Sequence, residues 1–261
     1  MQDWLLVRAG WRWYDQYADY MAASVAYYAP LAIIPLAYIV VTISGVIFDG
    51  VYIEAWLLQK GAGLGPELTS LIRDGVLVFA DTTKGQTVPV LSVLFFSVVV
   101  IVAFNTLIGG IHQVCQVPHK GIKGWVEKCL RSAIFLGILG GYVTALLVAE
   151  RIFQVWESDF ATVLSWGMFW FLTTVLCTVA YAVLTWYPLS LSARWRGGLA
   201  ASGLLLLGQS FISAYAATAG VPGLFAAAQL VVVLLLWVYA IVCIILYGAA
   251  VAYEYDSKII R

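Results

Sequence analysis

The chain has 261 residues, 63% of them apolar and only 11% charged, with 14 Lys and Arg balanced by 14 Asp and Glu. An average soluble domain carries about 25% charged residues, so this composition excludes an ordinary aqueous globule. A net charge of zero also excludes a surface built to neutralise nucleic-acid phosphates, and nucleic acid is not an expected partner.

In residues 1–20, Asp3, Arg8, Arg12, Asp15 and Asp19 precede the first apolar run, which is not the layout of a cleaved secretory signal. On a helical wheel Trp4, Val7, Trp11, Tyr14 and Ala18 share one stripe, and Arg8, Arg12, Asp15 and Asp19 share another about a quarter-turn away. This pattern predicts an amphipathic interfacial helix, read as an anchor under the bundle in preference to a lipid sensor or gate. Ala22 to Phe48 is free of charge and predicts a first span over about 22–48. Pro30 and Pro35 remove two backbone donors there and should kink it near Tyr27 and Tyr28, whether as a fixed bend or as a hinge.

Residues 49–87 form the one sizeable segment expected outside the membrane. Gly61-Ala62-Gly63-Leu64-Gly65-Pro66 divides it, and Pro66 suits the first turn of a helix whose Leu68, Leu71, Ile72, Val76 and Phe79 share a face. An extracytoplasmic helical hairpin is expected, serving as a passive lid or as a gate. Further apolar runs predict spans over about 88–111, 130–150 and 160–186. The stretch from Gly197 to Tyr253 then holds no Asp, Glu, Lys or Arg. It is broken only by Ala219-Gly220-Val221-Pro222-Gly223 and so predicts two spans, about 197–218 and 224–251.

Each run reaches the roughly 17–25 residues that cross about 30 Å of hydrocarbon as a helix. Barrel strands would alternate lipid-facing and lumen-facing residues, and these runs do not alternate. The expected fold is therefore all-α, a single polytopic membrane domain over 1–261 with six transmembrane helices. With the N-terminus cytoplasmic, the inner segments hold Arg8, Arg12, Lys120, Lys123, Lys128, Arg131, Arg194, Arg196, Lys258 and Arg261. Lys60, Arg73, Lys84 and Arg151 fall outside. This cation bias places both termini in the cytoplasm.

No catalytic residue, metal site or cofactor is expected. His112, Cys115 and His119 lack a fourth ligand at a recognised spacing, and the four cysteines make no disulfide framework. There is no Walker loop, metalloprotease motif or nucleophile elbow, and the centres of the spans hold no Asp, Glu or His for a proton relay. The intramembrane polar groups are uncharged. Thr174, Thr178, Tyr181 and Thr185 recur on one helical face, as do Ser202, Gln209 and Ser213, while Asn105 and Gln229 add amides. These stripes either line a substrate path or act as interhelical glue. Gly137 to Gly141 and Gly248 to Ala252 carry small-xxx-small patterns that mark packing faces, within the bundle or between copies of the chain.

Ala22-Ala23-Ser24-Val25-Ala26-Tyr27-Tyr28-Ala29-Pro30-Leu31-Ala32-Ile33-Ile34-Pro35-Leu36 resembles the opening span of the YihY/virulence factor BrkB family of six-helix bacterial inner-membrane proteins. Leu235-Leu236-Trp237-Val238-Tyr239, Leu246-Tyr247-Gly248-Ala249, and the segment from Tyr187-Pro188 to Arg194-Trp195-Arg196 are similar to later parts of that family. The sequence departs from it at His112-Gln113, where an Asn-Arg type pair is usual, and at Gly248-Ala249-Ala250, where Gly-Ala-Glu is usual. Glu254 lies one turn later.

The family was once labelled ribonuclease BN, an activity for which no metal cluster or acid–base pair is visible here. The resemblance implies handling of a lipid-like amphiphile. On that reading Asn105, Thr174, Thr178, Tyr181, Gln209, Ser213 and Gln229 line the path. Lys120, Lys123, Lys128, Arg131, Arg194 and Arg196 gather an anionic headgroup, unless these cations serve topology alone. The alternative is an envelope scaffold that transports nothing.

Overall fold

The computed structural model describes residues 4–28, 90–118, 121–154, 159–218 and 226–259. Every regular element among them is an α-helix: α1 (Leu5–Asp15), α2 (18–28), α3 (Val90–Val114), α4 (Gly121–Gln154), α5 (Asp159–Leu184), α6 (Leu191–Thr218) and α7 (Ala226–Ile259). Gly124–Ala149, Trp166–Leu184 and Leu234–Ser257 are long and apolar enough to cross a membrane, and Val100–Val114 is a shorter apolar helix. Helices α3 to α7 overlie the five later expected spans. The first span is described only as far as residue 28, and the hairpin over 49–87 lies outside the described residues, as do Pro30 and Pro35.

Three helices run further than hydropathy alone predicts, α6 by beginning at Leu191 and α4 and α7 by more. Helix α4 begins at Gly121, so much of the expected loop is helical. An i,i+4 pair between Glu127 and Arg131 (2.8 Å) supports this first stretch. Helix α7 continues past the end of the apolar run because its terminal acids, Glu254 and Asp256, both find partners.

The best-packed part is the seam of α5, α6 and α7. Glycines let the backbones approach: a Cβ on Gly197 would stand 2.5 Å from the carbonyl oxygen of Gly248, and one on Gly248 would strike the Tyr181 hydroxyl. Tyr181 is fully buried and donates to the Ile245 carbonyl at 2.8 Å. Helix α3 places Ile108 and Ile111 in the core and Gly110 against Leu246 and Met21.

The turns at one end are chemically specified. Gln116, at φ 51°, ends α3 in the left-handed conformation. Its N–H bonds the Gln113 carbonyl and that of Val117 bonds His112, which is a Schellman closure. Tyr17, at φ 52°, similarly separates α1 from α2. Ser190 precedes α6, and its hydroxyl accepts the Ala193 N–H at 3.4 Å.

The sequence-derived stripe on α1 is present, but it points away from the bundle. Leu5, Ala9 and Trp13 pack against the core, whereas Trp4, Val7, Trp11 and Tyr14 are exposed; Ala18, the last member of the expected stripe, lies beyond the Tyr17 turn and is buried in the core. The GxxxG face also differs from the other small-residue face. Gly248 is buried in the seam, but Gly137 and Gly141 are exposed, with no described atom within 4 Å of a Cβ built on either.

Candidate functional site at the Glu254 end of the bundle

Glu254 is the first charge after the long charge-free run, and it lands in the packed end of α7 with its side chain only 6% exposed. A carboxylate so placed needs compensating cations and donors. Both come from α1. Arg8 Nη2 lies 2.5 Å from Oε2 and Arg12 Nε lies 2.6 Å from Oε1, so each oxygen takes one guanidinium. The two arginines are four residues apart and therefore share a face of α1. Arg12 also lies over the Tyr253 ring at 4.3 Å, and its side chain is 19% exposed against 48% for Arg8. Tyr247, two turns earlier on α7, donates to the Leu6 carbonyl at 3.0 Å. Helix α1 is thus tied to the last turns of α7 by two ion pairs and a hydroxyl.

Other polar groups close around this junction. Asp256 is buried and accepts the Ser190 N–H at 3.1 Å, joining α7 to the start of α6. Gln113 donates to the Gln16 carbonyl at 2.8 Å, joining α3 to the α1–α2 turn. The His112 ring bonds the Leu184 carbonyl at 3.0 Å and stacks on Trp186 with centroids 4.5 Å apart. Arg131 donates to the carbonyls of Val183 and Thr185 at 2.6 and 3.2 Å, satisfying acceptors left open by the end of α5. Burial pushes the Cys115 thiol up to about 12, with the Arg12 cation and a hydrogen bond to Thr185 pulling the other way. Such a thiol is not a nucleophile.

The residues singled out from the sequence divide into three groups. Thr174, Thr178 and Tyr181 come together in the α5–α6–α7 seam. There Thr174 meets Ser202 at 2.7 Å, Thr178 bonds the Thr174 carbonyl at 2.8 Å, and a Cβ on Gly198 would collide with the Thr178 hydroxyl. Asn105 lies apart from them, between α3 and α4. Its Oδ1 accepts from Ser132 at 3.2 Å and its Nδ2 faces the Cys129 sulfur at 3.4 Å. Gln209 is exposed on α6, away from both.

Among the cations, Arg131 caps α5, Arg196 lies 3.9 Å over the Tyr255 ring, and Arg194 and Lys128 are half-buried at the same end. Lys120 and His119, and the side chains of Lys123, Ser213 and Gln229, lie outside the described residues. All four cysteines are free, and the described residues contain no group of three potential metal ligands.

Sequence reading did not single out the Arg8–Arg12–Glu254 cluster. Its signals were present: an i,i+4 arginine pair on α1, and the single acid that ends a charge-free run.

These features define an all-helical membrane protein whose N-terminal helix is fastened to its last helix. The chain belongs to the family described as Virulence factor BrkB, which matches residues 12–260 and so includes Arg12 and Glu254. No curated protein and no solved structure matches it.

Proposed function

We propose that this protein is a six-span transporter or flippase-like protein of the bacterial inner membrane, with both termini cytoplasmic. It moves a lipid-like anionic amphiphile between leaflets without hydrolysing nucleotide or catalysing a reaction of its own. The observation that supports this reading is the Asn105 group. An amide within an apolar helix, half-buried and answered among the described residues by Ser132 and a weak sulfur acceptor, supports a polar route on the α3–α4 side. On this reading Thr174, Thr178 and Tyr181 hold the α5–α6–α7 frame together, and Lys128, Arg194 and Arg196 attract the headgroup.

A second reading is an envelope scaffold, favoured by the fully packed seam in which those hydroxyls pair with one another and with backbone. Proteoliposomes with a fluorescent anionic lipid in one leaflet separate the two. Transport predicts that wild type accelerates leaflet exchange and that Asn105→Leu slows it severalfold, while costing no more than about 1 kcal/mol of stability. If wild type accelerates no anionic or zwitterionic lipid, the scaffold reading stands instead.

A further inference from the structure

Contacts between neighbouring helices show which residues share a depth. Tyr142 on α4 bonds Thr173 on α5, Thr174 bonds Ser202 on α6, and Gly197 lies against Gly248 on α7. Counting along antiparallel helices from these contacts, Trp166, Trp170 and Trp237 fall at one depth. Trp125, Leu191 and Glu254 fall within about two turns of each other at the opposite end. All three of those tryptophans, together with Trp125 and Leu191, are exposed. Trp237 and Glu254 are seventeen residues apart on one helix, and Trp125 and Trp170 stand slightly further apart along the bundle. The two levels are therefore separated by roughly 25–30 Å, the thickness of a bilayer's hydrocarbon core. Outward residues between them include Ile134, Leu199 and Leu204, all apolar.

Helix α1 is held at the second level by its bonds to Glu254, and its outward face is Trp4, Val7, Trp11 and Tyr14, with Trp11 65% exposed. Indole and phenol rings, apolar in body and polar at the tip, concentrate at headgroup depth. We propose that α1 is a membrane-surface element. Its Trp4–Val7–Trp11–Tyr14 face occupies the headgroup region of the leaflet at the Glu254 end and completes an aromatic girdle whose counterpart is Trp166, Trp170 and Trp237. The occupant is lipid because the rings lie at a depth set independently by the opposite girdle, on the side of α1 that the bundle leaves open. The core-facing side, with the two arginines at its flank, is used for docking. This surface does not depend on whether the protein transports anything.

The test is the depth of a nitroxide attached at Trp11→Cys or Tyr14→Cys in the full chain, reconstituted in nanodiscs with the native cysteines changed to alanine. Gln116→Cys, exposed in the α3–α4 connection, serves as the reference. The ratio of oxygen to nickel-chelate collisions at 11 and at 14 should lie severalfold above that at 116, as for a site at the boundary between headgroups and hydrocarbon. Having two sites guards against one substitution that fails to fold. A chelate-dominated signal at 11 and 14 would place the face in water. Exclusion of both reagents would place it under protein, such as a second copy, and either result overturns the proposal.

Discussion

At the scale of single residues, Glu254 converts a local sequence feature into tertiary structure. Its buried carboxylate meets Arg12 in a setting largely closed to water, whereas Arg8 approaches from a half-exposed position where water screens the interaction. The two pairs should therefore differ in strength although their distances are nearly equal. Glu254→Gln strands the Arg12 guanidinium, whose Nη1 is already buried without a hydrogen-bond partner among the described residues, and should cost on the order of 2–3 kcal/mol. Arg8→Gln should cost less than about 1 kcal/mol. Thermal unfolding in detergent of Arg12→Gln, Glu254→Gln and the double variant would measure the coupling, and the double variant should lose clearly less than the two singles together. Additive losses would mean that Arg12 and Glu254 do not act as a pair. The sequence shows the arginine spacing and the isolated acid, but not their meeting. More than two hundred residues of chain separate them, and no local pattern encodes such a contact.

At the scale of elements, helices α3 to α7 lie where the apolar runs are, and three of them are long and apolar enough to cross a membrane, because excluding charge from lipid is a strong constraint that acts on every residue of a span. Hydropathy places their ends poorly. The extensions of α4 and α7 at the Glu254 end rest on specific partners, Arg131 with the end of α5 and Asp256 with Ser190, and a window average does not register these. The small-residue patterns show the same division. Both were readable as packing faces, but only the one on α7 meets a neighbour within the described chain, since glycine spacing is silent about what lies opposite. A paired experiment exposes this difference. In Gly198→Ala the new methyl meets the Thr178 hydroxyl and stands 3.0 Å from the Thr174 carbonyl oxygen, so the α5–α6 contact must open, at about 1–3 kcal/mol. In Gly141→Ala the methyl enters open space, and the higher helix propensity of alanine favours the variant by up to about 1 kcal/mol. Melting temperatures in detergent should therefore move in opposite directions. A fall for Gly141→Ala as large as that for Gly198→Ala would show that the α4 face is itself a packed interface, between copies of the chain or with residues outside those described.

At the scale of the whole molecule, the structure gathers Arg8, Arg12, Lys128, Arg131, Arg194 and Arg196 at the Glu254 end, where α3 finishes, α4 and α6 begin and α5 and α7 finish. Several of these cations are committed to protein partners: Arg8 and Arg12 to a carboxylate, Arg131 to carbonyls and Arg196 to a ring. Their concentration still biases orientation, because the positive-inside preference counts charge near span ends during insertion, before those contacts exist. On the six-span reading, Lys60, Arg73, Lys84 and Arg151 belong to the opposite side among a larger number of acids, which contribute little to orientation. The Glu254 end should accordingly face the cytoplasm. Single cysteines placed at Gln2, Gly63 and Ile260, in a chain whose native cysteines are replaced, report this directly with a membrane-impermeant maleimide. In intact spheroplasts only the thiol at position 63 should react, and those at 2 and 260 should react only after the membrane is permeabilised. Reaction at 2 and 260 but not at 63 would invert the protein. It would then put the α1 surface and its arginines against the outer leaflet, where no cytoplasmic amphiphile could meet them. Reaction of only one of the two terminal positions would require an odd number of spans, and would reopen how residues 29–89 cross the membrane.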